Sequence, residues 1–368
     1  MRAVPLARHN LFQDRRRAAL SVSGLAVALL LVLVLNGIFA GAIRQVTAYL
    51  RNAPADVVIS QRGVRTMHMS ASALPGDALR AARRVRGVAG ADAIRYTSAT
   101  LHGREGSQLA YVIGYDVRTD RGGPWNLVSG HTPRTGEIVV DEVAADNLGV
   151  RIGGPVEVLG RQFTVAGISR GGTSITNTTA FLPTADFAAI RGPALSYVLV
   201  RAERGTSPRV LAARLERQIP GVTVQTKEEF VHEEGSIVRD MSADLMQIMS
   251  FIAFLIALAV IALTLFTATL AKLREYAVVK ALGASAWRLG RTVVAQAVWS
   301  VGLALVLAVV LAFLVGAALA AFTPNVRVAI EPSSVTRTAL AAVAAGAVGA
   351  LVPLRRVIRL DPATAFKR

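Results

Sequence analysis

The chain contains no cysteine, so disulfides and thiolate metal sites are excluded, and an exposed domain of it does not rely on cross-links. It also has no G-x-x-x-x-G-K-[ST] phosphate loop, which excludes ATP binding in that way by this chain alone. Histidine is sparse: His9, His68, His102, His131 and His232 are scattered without paired metal-ligand spacing. Acidic residues are outnumbered, 24 against 41 Lys and Arg, for a net charge of +17.

Charge is missing altogether from four stretches: Ala18 to Ile43, Leu245 to Ala271, Thr292 to Val326 and Thr338 to Leu354. A helix needs roughly 20 apolar residues to cross a bilayer. The first three runs exceed that length. The fourth is rich in Ala, Val and Gly and reaches it if it starts near Ser333. A buried soluble helix is the alternative for each run, weakest for the first three. The first run, behind Arg15-Arg16-Arg17, is too long for the 7–15-residue apolar region of a cleaved signal, so it reads as an uncleaved anchor.

The positive charge is not spread as a nucleic-acid surface would spread it. Residues 1–17, 272–291 and 355–368 each hold five basic residues and one acid. The span 44–244 is nearly balanced, with 24 basic and 20 acidic residues. Basic clusters mark the cytoplasmic flanks of membrane helices. Four spans put all three clusters on one face. The expectation is four transmembrane α-helices with a large α+β extracytoplasmic domain between helices 1 and 2, both termini cytoplasmic. The divisions expected are a cytoplasmic segment 1–17, helix 1 and stalk 18–50, the outer domain 51–226, stalk and helix 2 227–271, a cytoplasmic hairpin 272–291, helix 3 292–322, an outer loop 323–334, helix 4 335–354 and a tail 355–368.

Helical spacing continues beyond the first two spans. Ile43, Val46 and Leu50 follow the first; Ile237, Met241 and Leu245 lead into the second. Both read as stalks, the first ended by Asn52-Ala53-Pro54. Between them, strands are expected at Asp56–Ser60, Gln108–Gly114, Glu137–Val140, Pro155–Leu159, Gln162–Ile168, Ser196–Val200 and Val222–Gln225. Helices are expected at Gly76–Val85, Asp141–Leu148, Thr184–Ile190 and Ser207–Gln218.

Few residues suggest chemistry. Gly167-Ile168-Ser169-Arg170-Gly171 fits G-x-S-x-G, but no helix follows to raise a nucleophile, so a strand end and turn is the better reading. Asn177-Thr178-Thr179 fits the glycosylation pattern, which is common by chance. Glu228, Glu229, Glu233, Glu234, Asp240 and Asp244 cluster before the second span and read as a solvated helix start.

The stretch 273–292, LREYAVVKALGASAWRLGRT, sits between two apolar runs. Gly283 suits the left-handed end of one helix and Ser285 the cap of the next, giving a tight basic hairpin. An ordinary orienting loop would explain the Lys and Arg but not their order. REYAVVKALGAS, 274–285, closely resembles the cytoplasmic signature of the FtsX/MacB-like (type VII) permeases of ABC transporters. The segment 129–168, with its G-x-x-P turn, strand, helix, Gly-rich turn and two strands, looks like the family's outer-domain segment. RRVIRLDPATAF, 355–366, is similar to its C-terminal ending. Tyr276 departs from the usual aliphatic residue. The resemblance covers nearly the whole chain.

What that resemblance implies is a non-catalytic permease subunit of an ATP-driven complex in a bacterial cytoplasmic membrane. The implied site is an ATPase-coupling surface at Arg274, Glu275, Val278, Val279, Lys280, Ala281, Leu282, Gly283, Ala284 and Ser285. Its partners would be a dimer of a separate ABC ATPase, which holds the ATP and Mg, a second permease copy, membrane lipid and an outer adaptor or hydrolase. No cofactor and no nucleic acid are expected on this chain. Movement would pass up the stalks without a wide channel, for export or extraction of a lipid, peptide or drug. The spans hold almost no ionisable residues, as such a mechanism allows. A non-transporting regulator of cell-wall hydrolases is the second reading; a receptor without an ATPase and a membrane enzyme are remoter ones.

Overall fold

The structure, a computed structural model, describes residues 15–358 except 175–176, 272–277, 279–284 and 324–325. In chain order its elements are α1 (Arg15–Val46), α2 (Ala48–Asn52), β1 (Val57–Gln61), α3 (Ala78–Arg84), β2 (Val88–His102), β3 (Ser107–Tyr115), β4 (Leu127–Gly130), β5 (Glu137–Asp141), α4 (Glu142–Leu148), β6 (Pro155–Val158), β7 (Arg161–Ser169), β8 (Thr178–Pro183), α5 (Thr184–Arg191), β9 (Tyr197–Ala202), α6 (Pro208–Gln218), β10 (Val222–Thr226), α7 (Lys227–Ala271), α8 (Ala286–Phe322) and α9 (Pro332–Ile358). They fall into two units: one holds residues up to Ala40, 242–322 and the segment from Arg327 onward, the other holds Gly41–Met241 and Thr323–Val326.

Among the described residues, three helices are long and apolar enough to cross a membrane. Their apolar cores are Val22–Val46, Ala297–Phe322 and Pro332–Leu351, with mean hydropathies of 2.6, 2.9 and 1.4. In α7 the described apolar segment is Gln247–Val260. The helices pack through small residues. Ala297, Ala304, Ala308 and Ala312 of α8 recur at spacings that keep them on one face, buried with Leu25, Leu29 and Leu33 of α1 and with Ala342 and Ala345 of α9. Small side chains let helix backbones approach closely where burial of apolar surface supplies no net drive. The opposite face of α8 exposes Val298, Val306, Val310, Phe313 and Leu314. An apolar surface of that extent suits hydrocarbon, not water.

The second unit is built on a ten-stranded sheet in the order β10-β1-β9-β2-β3-β8-β5-β7-β4, with β6 bridging β2 and β7. β2 joins its two halves. Its first half pairs antiparallel with β9 from Val88 to Ile94, and its second half pairs antiparallel with β3 from Arg95 to His102. One apolar core lies under α4 and α5, around Ile138, Val140, Phe163 and Leu182. Another lies under α3 and α6, around Ile59, Val198, Leu211 and Leu215. A third, with Tyr115, Phe181 and Tyr197, receives Tyr49 and Leu50 of α2 and Phe230 of α7. The β-branched and aromatic residues of these strands fit a pleated surface covered on both sides.

All seven strands and all four short helices expected from periodicity form, with ends shifted by a residue or two. Three further strands, β2, β4 and β8, form as well. Ser169 ends β7 and is followed by a bend that leads to another strand, so the G-x-S-x-G match is a strand end. The acidic cluster needs one correction. Glu228, Asp240 and Asp244 are exposed, but the Glu234 side chain is fully buried because loop backbone and an imidazole enclose it.

Candidate functional site at the stalk junction

Of the expected coupling residues, Arg274, Glu275, Val279, Lys280, Ala281, Leu282, Gly283 and Ala284 lie outside the described residues. Val278 is helical and exposed, and Ser285 is exposed immediately before α8. The stalk residues can be placed. Ile43 and Val46 are half-buried on α1, Leu50 is buried on α2, and Ile237 is half-buried on α7. Met241 is exposed, and for Leu245 only the helical backbone is described.

The stalk helices meet at a glycine. A Cβ on Gly235 of α7 would lie 3.2 Å from Ile43 Cγ2 and 3.7 Å from Thr47 Cγ2, so only hydrogen lets the two helices come this close. Thr47 is where α1 gives way to α2. Its hydroxyl donates back to the Ile43 carbonyl at 2.7 Å and accepts from Arg51 Nε at 2.8 Å. Back-bonding of this kind bends a helix without breaking it.

Each stalk then runs straight into the sheet. β1 follows α2, β10 precedes α7, and the two strands pair antiparallel with Val57 opposite Thr226. A capping box starts α7. The Thr226 hydroxyl accepts from the Glu229 N–H at 3.2 Å, and the Glu229 carboxylate accepts from the Thr226 N–H at 2.9 Å, so two end donors of the helix are satisfied reciprocally. Lys227 ties the stalks together. Its N–H donates to the Asp56 carbonyl at 2.9 Å and its ammonium to the Ala53 carbonyl at 2.8 Å. Burial lowers its pKa from the usual lysine value, partly offset by Glu228 and Asp56. Asp56 in turn accepts from the Ala202 N–H at 2.8 Å, fixing β1 to β9.

Aromatic and charged anchors complete the joint. Tyr49 donates its hydroxyl to the Gly122 carbonyl at 3.0 Å and its ring meets Trp125 and Phe181. Burial raises the pKa of this phenol strongly. Phe230 stands edge-on to Tyr197 at 5.9 Å between centroids. One turn further along α7, Glu234 accepts from the Met67 N–H at 2.6 Å and the His68 N–H at 3.2 Å, and also contacts the His68 ring. Arg65 pairs with Glu233 at 2.7 Å. The acidic turn therefore holds the loop after β1 against the stalk. Sequence reading missed this role, because His68 has no partner at any local spacing. What this joint does is carry displacement: backbone hydrogen bonds, a cap and buried rings link both stalks to neighbouring strands.

Comparison with known families fits this architecture. Residues 18–218, more than half of the chain, match the MacB-like periplasmic core domain, and residues 247–362 match the FtsX-like permease C-terminal domain. The chain belongs to the FtsX/MacB-like ABC transporter permease family. Members of this family work with ABC ATPase partners and are generally non-catalytic permeases. With its apolar helices, this permease is a membrane protein. Among solved structures, the permease is similar to the periplasmic region of MacB from Actinobacillus actinomycetemcomitans: 14% identity over 49% of this chain and 92% of that one, TM-score 0.38. It is also similar to the extracellular domain of the noncanonic ABC-type transporter YknZ from Gram-positive bacteria, with 14% identity over 46% of this chain and 99% of that one, TM-score 0.38. A search of curated proteins returned no match.

Proposed function

We propose that this chain is the permease subunit of an ABC transporter that works by mechanotransmission in a bacterial cytoplasmic membrane. A separate ATPase dimer binds ATP and Mg and closes. The hairpin 272–291 docks on it, with Arg274, Glu275 and Lys280 making polar contacts and Val278, Val279 and Leu282 an apolar face. The movement passes along α1 and α7 to the sheet domain outside. Four spans, two permease copies and cytoplasmic termini complete the arrangement, in keeping with the three basic clusters on one face. The cargo class is a hydrophobic or amphipathic lipid, peptide or drug.

The observation that carries this reading is the pairing of β1 with β10. Both stalks end on strands that are hydrogen-bonded neighbours, so a shift of one stalk against the other is felt at once by the sheet. A channel would need a polar lining through its helices; a lever needs stiff joints. The test is purification of the full chain from its native membrane. A stoichiometric Walker-motif chain should accompany it. Insertion of Gly-Gly between Thr226 and Lys227 should preserve that assembly and basal ATP turnover while abolishing the response of the sheet domain to ATP, read by spin-label distances across the two copies. Absence of an ATPase, or an unchanged response in the insertion variant, rejects the reading.

A further inference from the structure

A recess opens between α2, the loop carrying Met67 and His68, the β3–β8 strands and Trp125. Its empty volume, mouth included, is about 430 Å³, within the usual span for small-molecule sites. Tyr96, Tyr111 and Trp125 line it, each half-buried. Tyr96 and Tyr111 lie 5.4 Å apart between centroids, and the His68 ring stands edge-on to Tyr111 at 4.4 Å. No Lys, Arg, Asp or Glu is among its lining residues.

Two polar atoms on this wall are buried and lack a hydrogen-bond partner among the described residues: His68 Nε2 and Thr179 Oγ1. Buried polar atoms without partners are rare and costly, and each asks for an explanation. Thr179 is itself 5% exposed and sits opposite Tyr111 in the parallel β3–β8 pair. Its hydroxyl occupies the space where Gly172 has no side chain; a Cβ there would come within 1.8 Å. Gly172 is held in place by its N–H, which donates to Asp141 Oδ2 at 2.8 Å. The hydroxyl is therefore seated by construction and left unused.

His68 is seated too. Its Nδ1 faces the buried Glu234 carboxylate, so in the neutral ring Nδ1 carries the proton and Nε2 is an acceptor. The carboxylate behind it also makes the recess electronegative: its charge helps raise the Tyr111 hydroxyl to about 12, second to burial. An acceptor nitrogen, a hydroxyl, aromatic faces and a buried negative charge together favour a cation with an apolar body.

We propose that this recess binds a small apolar amine, its body against Tyr96, Tyr111 and Trp125 and its ammonium donating to His68 Nε2 and Thr179 Oγ1. The site is independent of the coupling reading, and its test needs no ATPase. The full chain in zwitterionic nanodiscs is titrated calorimetrically with 2-phenylethylamine and with 3-phenylpropionate, of similar shape but opposite charge, and empty discs are subtracted. The amine should bind saturably at one site, at least about tenfold tighter than the acid, the scale of one hydrogen bond to a charged group. Thr179→Val keeps the side-chain shape and should weaken the amine about tenfold. Ala48→Phe, which fills the recess from α2, should abolish binding. Glu234→Gln should narrow the gap between the two probes, with thermal melts confirming that each variant is folded. No saturable binding, equal affinity for the two probes, or amine affinity unmoved by Thr179→Val and Ala48→Phe overturns the proposal.

Discussion

Val57 and Thr226, the first residue of β1 and the last of β10, are Cα partners in the sheet, and each is the next strand residue beyond a stalk. The two helices that leave the sheet domain thus start from one point of its hydrogen-bond ladder. If the proposed transmission is right, that point is where changes should be felt most.

The cap of α7 is the simplest place to test this. Thr226 is 3% exposed and accepts the Glu229 N–H. Thr226→Ala removes the hydroxyl and leaves that donor unpaired, a loss of about 1 kcal/mol. Amide exchange at Glu229 and Phe230 in the full chain should speed up about fivefold, while exchange in α4 stays unchanged. Equal rates in the first turn of α7 would show that the cap holds nothing.

Glu234 bonds two backbone N–H groups and the His68 ring. Glu234→Ala strips all three of their partner at a buried site, and breaking such a pair costs about 3–5 kcal/mol. The loop 62–74 should become a preferred site of proteolytic nicking in the folded protein. His68→Ala leaves the carboxylate its two N–H donors and should cost less. A loop equally resistant in wild type and Glu234→Ala would contradict this account.

The strands that were legible show why others were not. β5 and β7 present β-branched runs bounded by turn residues, and their expected limits differ from the observed ones by a single residue at most ends. β2 opens on Gly90 and passes through Tyr96-Thr97-Ser98, and its two halves serve different partners. No single face is therefore buried along its 15 residues, and the alternation that marks a strand is lost. β8, Thr178–Pro183, is buried at every position but lies behind a Thr-rich loop and ends in proline, so turn signals dominate. Pro183 is tolerated because it is the cap of α5. The contact between Glu234 and His68 spans 166 residues. Periodicity reports neighbours on one element, and pairing at that distance is set only by how the sheet closes.

Three buried phenols predict alkaline behaviour. Burial is the main cause that raises Tyr96, Tyr111 and Tyr197, with the Glu234 charge adding to each. Tyr111 is pushed from 10.0 up to about 12. A folded pKa above the unfolded one means that the native state holds its proton longer, so the stability contribution is complete below pH 10 and is lost as pH rises from there toward 12. Phenolate absorbance of the folded chain should therefore lag that of the unfolded chain, and Tyr111→Phe should remove one of the delayed protons. Simultaneous titration of every tyrosine near pH 10 in a chain still folded would contradict the burial described here.

The hairpin prediction rests on sequence and has the clearest alternative. With no native cysteine, single cysteines at Ser107 and Ser285 report topology directly: they should label from opposite faces of the membrane, and labelling from one face ends the four-span arrangement. Within the hairpin, Gly283 is expected at a positive φ, where a β-branched residue is strained. Gly283→Val should reach the membrane at a normal level yet lose ATP-driven motion of the sheet domain. Glu275→Lys reverses a charge at the proposed ATPase contact. Like charges brought together at an interface cost several kcal/mol, so co-purification of the ATPase should fall by at least about tenfold, with a matching salt dependence. A purely orienting loop makes the opposite forecast. Glu275→Lys would add one more cytoplasmic positive charge, strengthen insertion, and leave ATPase binding and turnover at wild-type values. Membrane level, co-purified ATPase and turnover, measured together for both variants, therefore separate a coupling element from a topogenic one.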